Sequence, residues 1–107
     1  MTLPASLSRY FEAQNTHDID ALIACFAPDA VVRDEGEDIV GPVAIRAWKE
    51  ATSARYRVNA TPIEVEEKDG RTVVLATVAG NFPGSPAKLT YRFGLAHDGR
   101  INALAIG

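Results

Sequence analysis

The sequence predicts a single α+β domain in which helices come first and a run of antiparallel hairpins follows. Three observations carry that prediction. Apolar residues recur with helical spacing between Leu7 and Thr52, the period changes to two from Tyr56 onward, and turn signals at Lys68-Asp69-Gly70-Arg71 and Asp98-Gly99 punctuate the second half. Amphipathic helices and half-apolar strands bury their faces on one another, so a curved sheet wrapping the helices is the expected arrangement. At 107 residues, 47% of them apolar, the chain fits one core and one domain over 1–107.

Leu7, Tyr10, Phe11 and Gln14 fall at i, i+3, i+4 and i+7 and predict a helix from about Ala5 to Asn15. Asp18 is placed to cap a second helix carrying Ile19, Leu22, Ile23 and Phe26, which Pro28 ends. Pro28-Asp29 reads as a turn, Ala30 to Asp34 as a strand, and Asp34 to Asp38 as an acidic loop. Gly41-Pro42 opens a third helix, with Pro42 in the first turn and Ile45, Trp48 and Thr52 on one side. Ile63 and Val65 then alternate with Glu64 and Glu66.

Thr72 to Asn81 is apolar on both faces, with Val73, Leu75 and Ala79 on one and Val74, Ala76 and Val78 on the other. Such a strand needs two covers. Three helices shield one side, so a second copy of the chain is expected on the other. After the break at Phe82 to Pro86, Leu89, Tyr91, Phe93 and Leu95 alternate with Lys88, Thr90, Arg92 and Gly94, and Ile101 to Ile106 forms the last strand. Alternation places Tyr91 inward and Arg92 outward; a bulge near Phe82 to Pro86 would exchange them.

Composition excludes several function classes. The net charge is −3, with 11 basic and 14 acidic residues interleaved, so no basic stripe exists to neutralise phosphates and nucleic acid is not an expected partner. No segment approaches the ~20 consecutive apolar residues of a membrane span, and a soluble, cytoplasmic protein is expected. Cys25 is the only cysteine, which rules out an internal disulfide and a paired-cysteine zinc site. His17 and His97 sit in turns beside aspartates, and nothing gathers them with a third metal ligand. Neither metal nor cofactor is expected.

Asp34 and Tyr10 are the candidate catalytic residues. Asp34 shares a strand face with Val32, so if Val32 packs on the helices the carboxylate does too, and burial would favour a base; in the opposite register Asp34 only begins the acidic loop. Tyr10 lies on the core stripe, where its hydroxyl needs a partner, either a neighbouring polar group or a ligand's carbonyl oxygen. Trp48, Tyr56, Phe82, Tyr91 and Phe93 have the make-up of an apolar pocket and could equally fill it.

The run Arg9-Tyr10-Phe11, Asn15 to Leu22 and Phe26 to Asp34 resembles SnoaL-like proteins of the nuclear transport factor 2-like superfamily, which includes ketosteroid isomerases and polyketide cyclases. Gly41-Pro42-x-x-Ile45-Arg46, Gly80-Asn81-Phe82 and the Tyr91-Arg92-Phe93 to Gly99-Arg100-Ile101 hairpin extend the resemblance over essentially the whole chain. It implies a cone-shaped antiparallel sheet around three helices, a cystatin-like roll, and does not fix a substrate. In ketosteroid isomerases an aspartate matching Asp34 moves a proton beside a carbonyl, while the tyrosine matching Tyr10 and a protonated aspartic acid donate to the oxyanion. Here the position of that second acid falls on Tyr91, or on Arg92 after a one-residue slip. The pairing of arginine and acid seen in epoxide hydrolases of the superfamily would need a further inward acid, and Glu64 and Glu66 alternate outward.

The resulting expectation is a homodimer, joined through the outer sheet face, that binds an apolar carbonyl-bearing small molecule. If it is an enzyme, Asp34 is the base and Tyr10 the oxyanion donor in a cofactor-independent isomerisation or aldol-type cyclisation. The alternative is a non-catalytic ligand-binding or dimerisation module of the same fold.

Overall fold

A computed structural model describes residues 2–107. The described residues form three helices, α1 (Ala5–Thr16), α2 (Ile19–Ala24) and α3 (Gly41–Arg55), and six strands, β1 (Phe26–Asp34), β2 (Glu37–Val40), β3 (Val58–Lys68), β4 (Arg71–Gly80), β5 (Ala87–Leu95) and β6 (Ile101–Ile106). The strands make one curved, unclosed sheet in the order β2-β1-β6-β5-β4-β3. The helices fill its concave side, as the α+β pattern predicts. One ladder departs from the expected antiparallel sheet: β1 runs parallel to β6, so the sheet is mixed.

Two boundaries near β1 differ from the sequence reading. The second helix stops at Ala24, and Phe26 belongs to β1, where it pairs with Ile101 of β6. Pro28-Asp29 is not a turn; it occupies the irregular stretch between Phe26 and Val31, where a missing amide hydrogen leaves no ladder bond unmade. The acidic loop is a tight hairpin instead. Glu35 and Gly36 take positive φ of 52° and 79°, the backbone of a two-residue turn, and Arg33 pairs across the strands with Asp38 at 2.8 Å.

Elsewhere the local chemistry acts as expected. Asp18 caps α2 by accepting from the Ala21 amide at 3.1 Å, and Pro42 lies in the first turn of α3. Buried Cys25 bonds through Sγ to the Ala21 carbonyl, and burial pushes its thiol up.

Inward-facing Val74, Ala76, Val78, Tyr91 and Phe93 of β4 and β5 meet Leu7, Tyr10 and Phe11 of α1 and Ile45 of α3 in one core. Tyr10 is its hub, edge-on to Phe11, Phe26, Tyr91 and Phe93 at centroid distances of 5.3 to 6.4 Å. On the opposite face of β4, Val73, Leu75 and Thr77 are only half-buried.

The end of α1 is fastened to the edge strand β3. Asn15 Nδ2 donates to the Ala60 carbonyl at 2.9 Å and Asn15 Oδ1 accepts from the Ala60 amide at 2.7 Å. Gln14 Nε2 donates to the Val58 carbonyl at 3.3 Å beside this clamp.

Candidate functional site

Between the helices and the open mouth of the sheet lies a cavity of about 480 Å³. Each wall follows from local periodicity. Helical spacing turns Tyr10 and Gln14 inward from α1, and Trp48, Lys49 and Thr52 inward from α3. Strand alternation aims Leu89 and Tyr91 from β5, while Asp34 ends β1 at the rim and Phe82 enters from the β4–β5 connection.

The structure brings together Asp34, Tyr10, Trp48, Tyr56, Phe82 and Tyr91 around this one space. Phe93 is not part of the lining. It is fully buried in the core behind, stacked on Tyr91 with ring centroids 6.1 Å apart, because its inward position lies deeper in the cone than that of Tyr91. Arg92 points to the outer face and is exposed, so the arrangement at β5 is the alternating one.

Asp34 is half-buried. Its Oδ2 accepts a hydrogen bond from Trp48 Nε1 at 3.1 Å, which fixes the carboxylate at the edge of the cavity. Its negative charge is felt by three neighbouring groups. It raises the Tyr10 and Tyr91 phenols, and it opposes the fall of the Lys49 ammonium. For both tyrosines burial is the larger cause: it holds Tyr10 well above its ordinary value and pushes Tyr91 up to about 12. Two neutral phenols therefore face the same space as a carboxylate, each a donor and neither ionised near neutral pH.

Lys49 is the residue that sequence reasoning missed. It is 8% exposed, the Gln14 side-chain carbonyl accepts its hydrogen bond, and its Nζ lies 5.6 Å from the Trp48 ring centroid. Burial lowers its ammonium to about 8, against the opposing pull of Asp34. The signal was present: Ile45, Trp48, Lys49 and Thr52 fall at i, i+3, i+4 and i+7, which sets a charge on the apolar stripe of α3. Chemically, the site offers a carboxylate for moving protons, two phenols for holding an oxyanion, and a desolvated amine.

Comparisons with known proteins agree with this architecture. A family model described as a SnoaL-like domain matches residues 7–103. A candidate polyketide cyclase from Sinorhizobium meliloti has a crystal structure 45% identical to this chain, with a TM-score of 0.92 over 98% of this chain and 95% of that one. A candidate polyketide cyclase from Xanthomonas campestris is 23% identical, with a TM-score of 0.80 over 94% of this chain and 85% of its own. A protein with a ketosteroid isomerase-like fold from Catenulispora acidiphila, solved with trimethylamine, is 20% identical, with a TM-score of 0.85 over 99% and 86%. No curated protein matches the chain. No helix among the described residues is long and apolar enough to cross a membrane. A family match that spans nearly the whole chain, on the same helix-filled mixed sheet, places the protein in the SnoaL-like domain family.

Proposed function

We propose that the protein binds an apolar, carbonyl-bearing small molecule in the cavity and transfers a proton on the carbon next to that carbonyl. The observation that carries this reading is the convergence of Asp34, Tyr10 and Tyr91 on one cavity of about 480 Å³, large enough for a small organic ligand. Asp34 would take the proton, its carboxylate oriented by Trp48. Tyr10 and Tyr91 would donate to the carbonyl oxygen as negative charge develops there, so that Tyr91 supplies the second donor that ketosteroid isomerases draw from an acid. Isomerisation of an enone and aldol-type ring closure of a polyketide-like chain both need this step. The 45% identity to a candidate polyketide cyclase supports the second substrate class.

The test is Asp34→Asn, assayed with enones and polyketide-like carbonyl compounds. Turnover should disappear while binding persists; undiminished turnover removes Asp34 from the chemistry. Binding without turnover by the wild-type protein would favour the non-catalytic ligand-binding module.

A homodimer is part of the same proposal. Val73, Leu75 and Thr90 line a shallow depression on the outer sheet face beside Glu64 and Glu66, and apolar surface on the unhelical side of a sheet is what a second copy would cover.

A further inference from the structure

We propose that Lys49 is a nucleophilic amine that takes the carbonyl of the ligand as a Schiff base. The inference rests on the carbonyl-binding reading above and changes its order of events: the two phenols serve the oxygen until it leaves as water, and Asp34 then removes the proton beside a C=N bond instead of beside the carbonyl. Three features carry it. Lys49 is the one lysine of three that lines the cavity; Lys68 and Lys88 are exposed. Its ammonium is withdrawn from water, with Gln14 as its hydrogen-bond acceptor. Groups able to carry protons stand on facing elements: Asp34 on β1, Tyr10 on α1 and Tyr91 on β5.

Desolvation is the means by which proteins convert a lysine from a fixed cation into a nucleophile, because burial penalises the charged form. With its ammonium lowered to about 8, about a quarter of Lys49 is free amine at pH 7.5, against about 0.1% of an ordinary exposed lysine. Asp34, which faces the same cavity, opposes this fall.

The step balances without an oxidant or reductant. The Nζ lone pair attacks the carbonyl carbon, a C–N bond forms, and the C=O π pair moves to oxygen, toward which Tyr10 and Tyr91 donate. The oxygen gains a proton and the nitrogen loses one through Asp34, giving a carbinolamine. The nitrogen lone pair then expels the hydroxyl, which leaves with a further proton as water, and a C=N bond remains. The protonated imine acidifies the neighbouring C–H, and Asp34 is the base that removes that proton.

The experiment uses the wild-type chain at pH 7.5 with 2-naphthaldehyde and sodium cyanoborohydride, which reduces an imine to a stable secondary amine. The product is read by intact mass and by peptide mapping. Labelling at Lys49 should exceed that at Lys68 or Lys88 by roughly tenfold or more. Lys49→Arg keeps the charge but forms no stable imine, and should lose the adduct while 2-naphthaldehyde still quenches Trp48, the only tryptophan. Equal labelling of the three lysines overturns the proposal even if the variant does not fold. Quenching of Trp48 in the wild type without an adduct overturns the covalent step and leaves the binding reading intact. Neither quenching nor adduct overturns both.

Discussion

Trp48 Nε1 donates to Asp34 Oδ2 at 3.1 Å, joining the middle of α3 to the last residue of β1. The bond converts a strand-end carboxylate, otherwise free to swing toward the hairpin, into a group of fixed direction. A hydrogen bond to a charged group contributes about 1.5–3 kcal/mol. Trp48→Phe keeps an aromatic wall but removes the donor, and should lower kcat on a carbonyl substrate between about tenfold and a hundredfold. Steady-state kinetics check this, and an unchanged kcat would show that the indole does no orienting.

Tyr10 and Tyr91 are expected to share the oxyanion. Tyr10→Phe and Tyr91→Phe each retain the ring, so the aromatic core should survive while turnover drops about a hundredfold in each. Circular dichroism confirms folding and initial rates give the loss. If only Tyr10→Phe is impaired, Tyr91 serves as wall and not as donor.

Lys49 also writes a signature into stability against pH. Its folded pKa of about 8 lies below the ordinary value of 10.5, so the unfolded chain binds more protons between these two values. Stability from this group is therefore fully present above about 10.5 and lost as pH falls through about 8. The shift corresponds to about 3 kcal/mol. Gln14 and Tyr10 on α1, Asp34 on β1 and Tyr91 on β5 face the same cavity. Tyr91, raised to about 12, acts oppositely and erodes stability above pH ~10. Subtracting the urea-melt profile of Lys49→Met from that of the wild type should leave a curve rising from pH 8 to 10. A flat difference would mean the ammonium is not desolvated.

The outer sheet face gives an assembly prediction. The wild type should sediment as a dimer, and Leu75→Glu, which sets a charge in the middle of the half-buried apolar row, should sediment as a folded monomer. A monomeric wild type would remove the homodimer from the proposal.

The helices, the long strands and the identity of the inward face were legible because each rests on a period: 3.6 for Leu7, Tyr10, Phe11 and Gln14, and 2 for Leu89, Tyr91 and Phe93. The parallel β1–β6 ladder was not, since pairing between strands some seventy residues apart leaves no local pattern. Phe26 misled because an apolar residue just after a short helix fits either period. The Glu35-Gly36 hairpin was hidden by its charge, which reads as loop when the turn is in fact the two-residue kind. Asp34 and Tyr10 could be nominated by position alone. That they meet Lys49 depends on how α3 crosses the end of β1, a tertiary relation that a run of letters does not hold.

The clamp between Asn15 and Ala60 has a consequence for how the chain behaves in company. β3 is an edge of the sheet, and an edge offers free amides and carbonyls on which a foreign strand can grow. The Asn15 carboxamide occupies one donor and one acceptor of that edge, in the way a neighbouring strand would. Pro62, the register shift before Glu64, and Glu66, Glu67 and Lys68 spoil the remainder. Asn15→Ala should therefore aggregate faster than the wild type under mild heating, measured by light scattering at matched folded fraction; equal rates would mean the proline and charges suffice. A side chain that fastens a helix thus also guards the protein against polymerising through its own border.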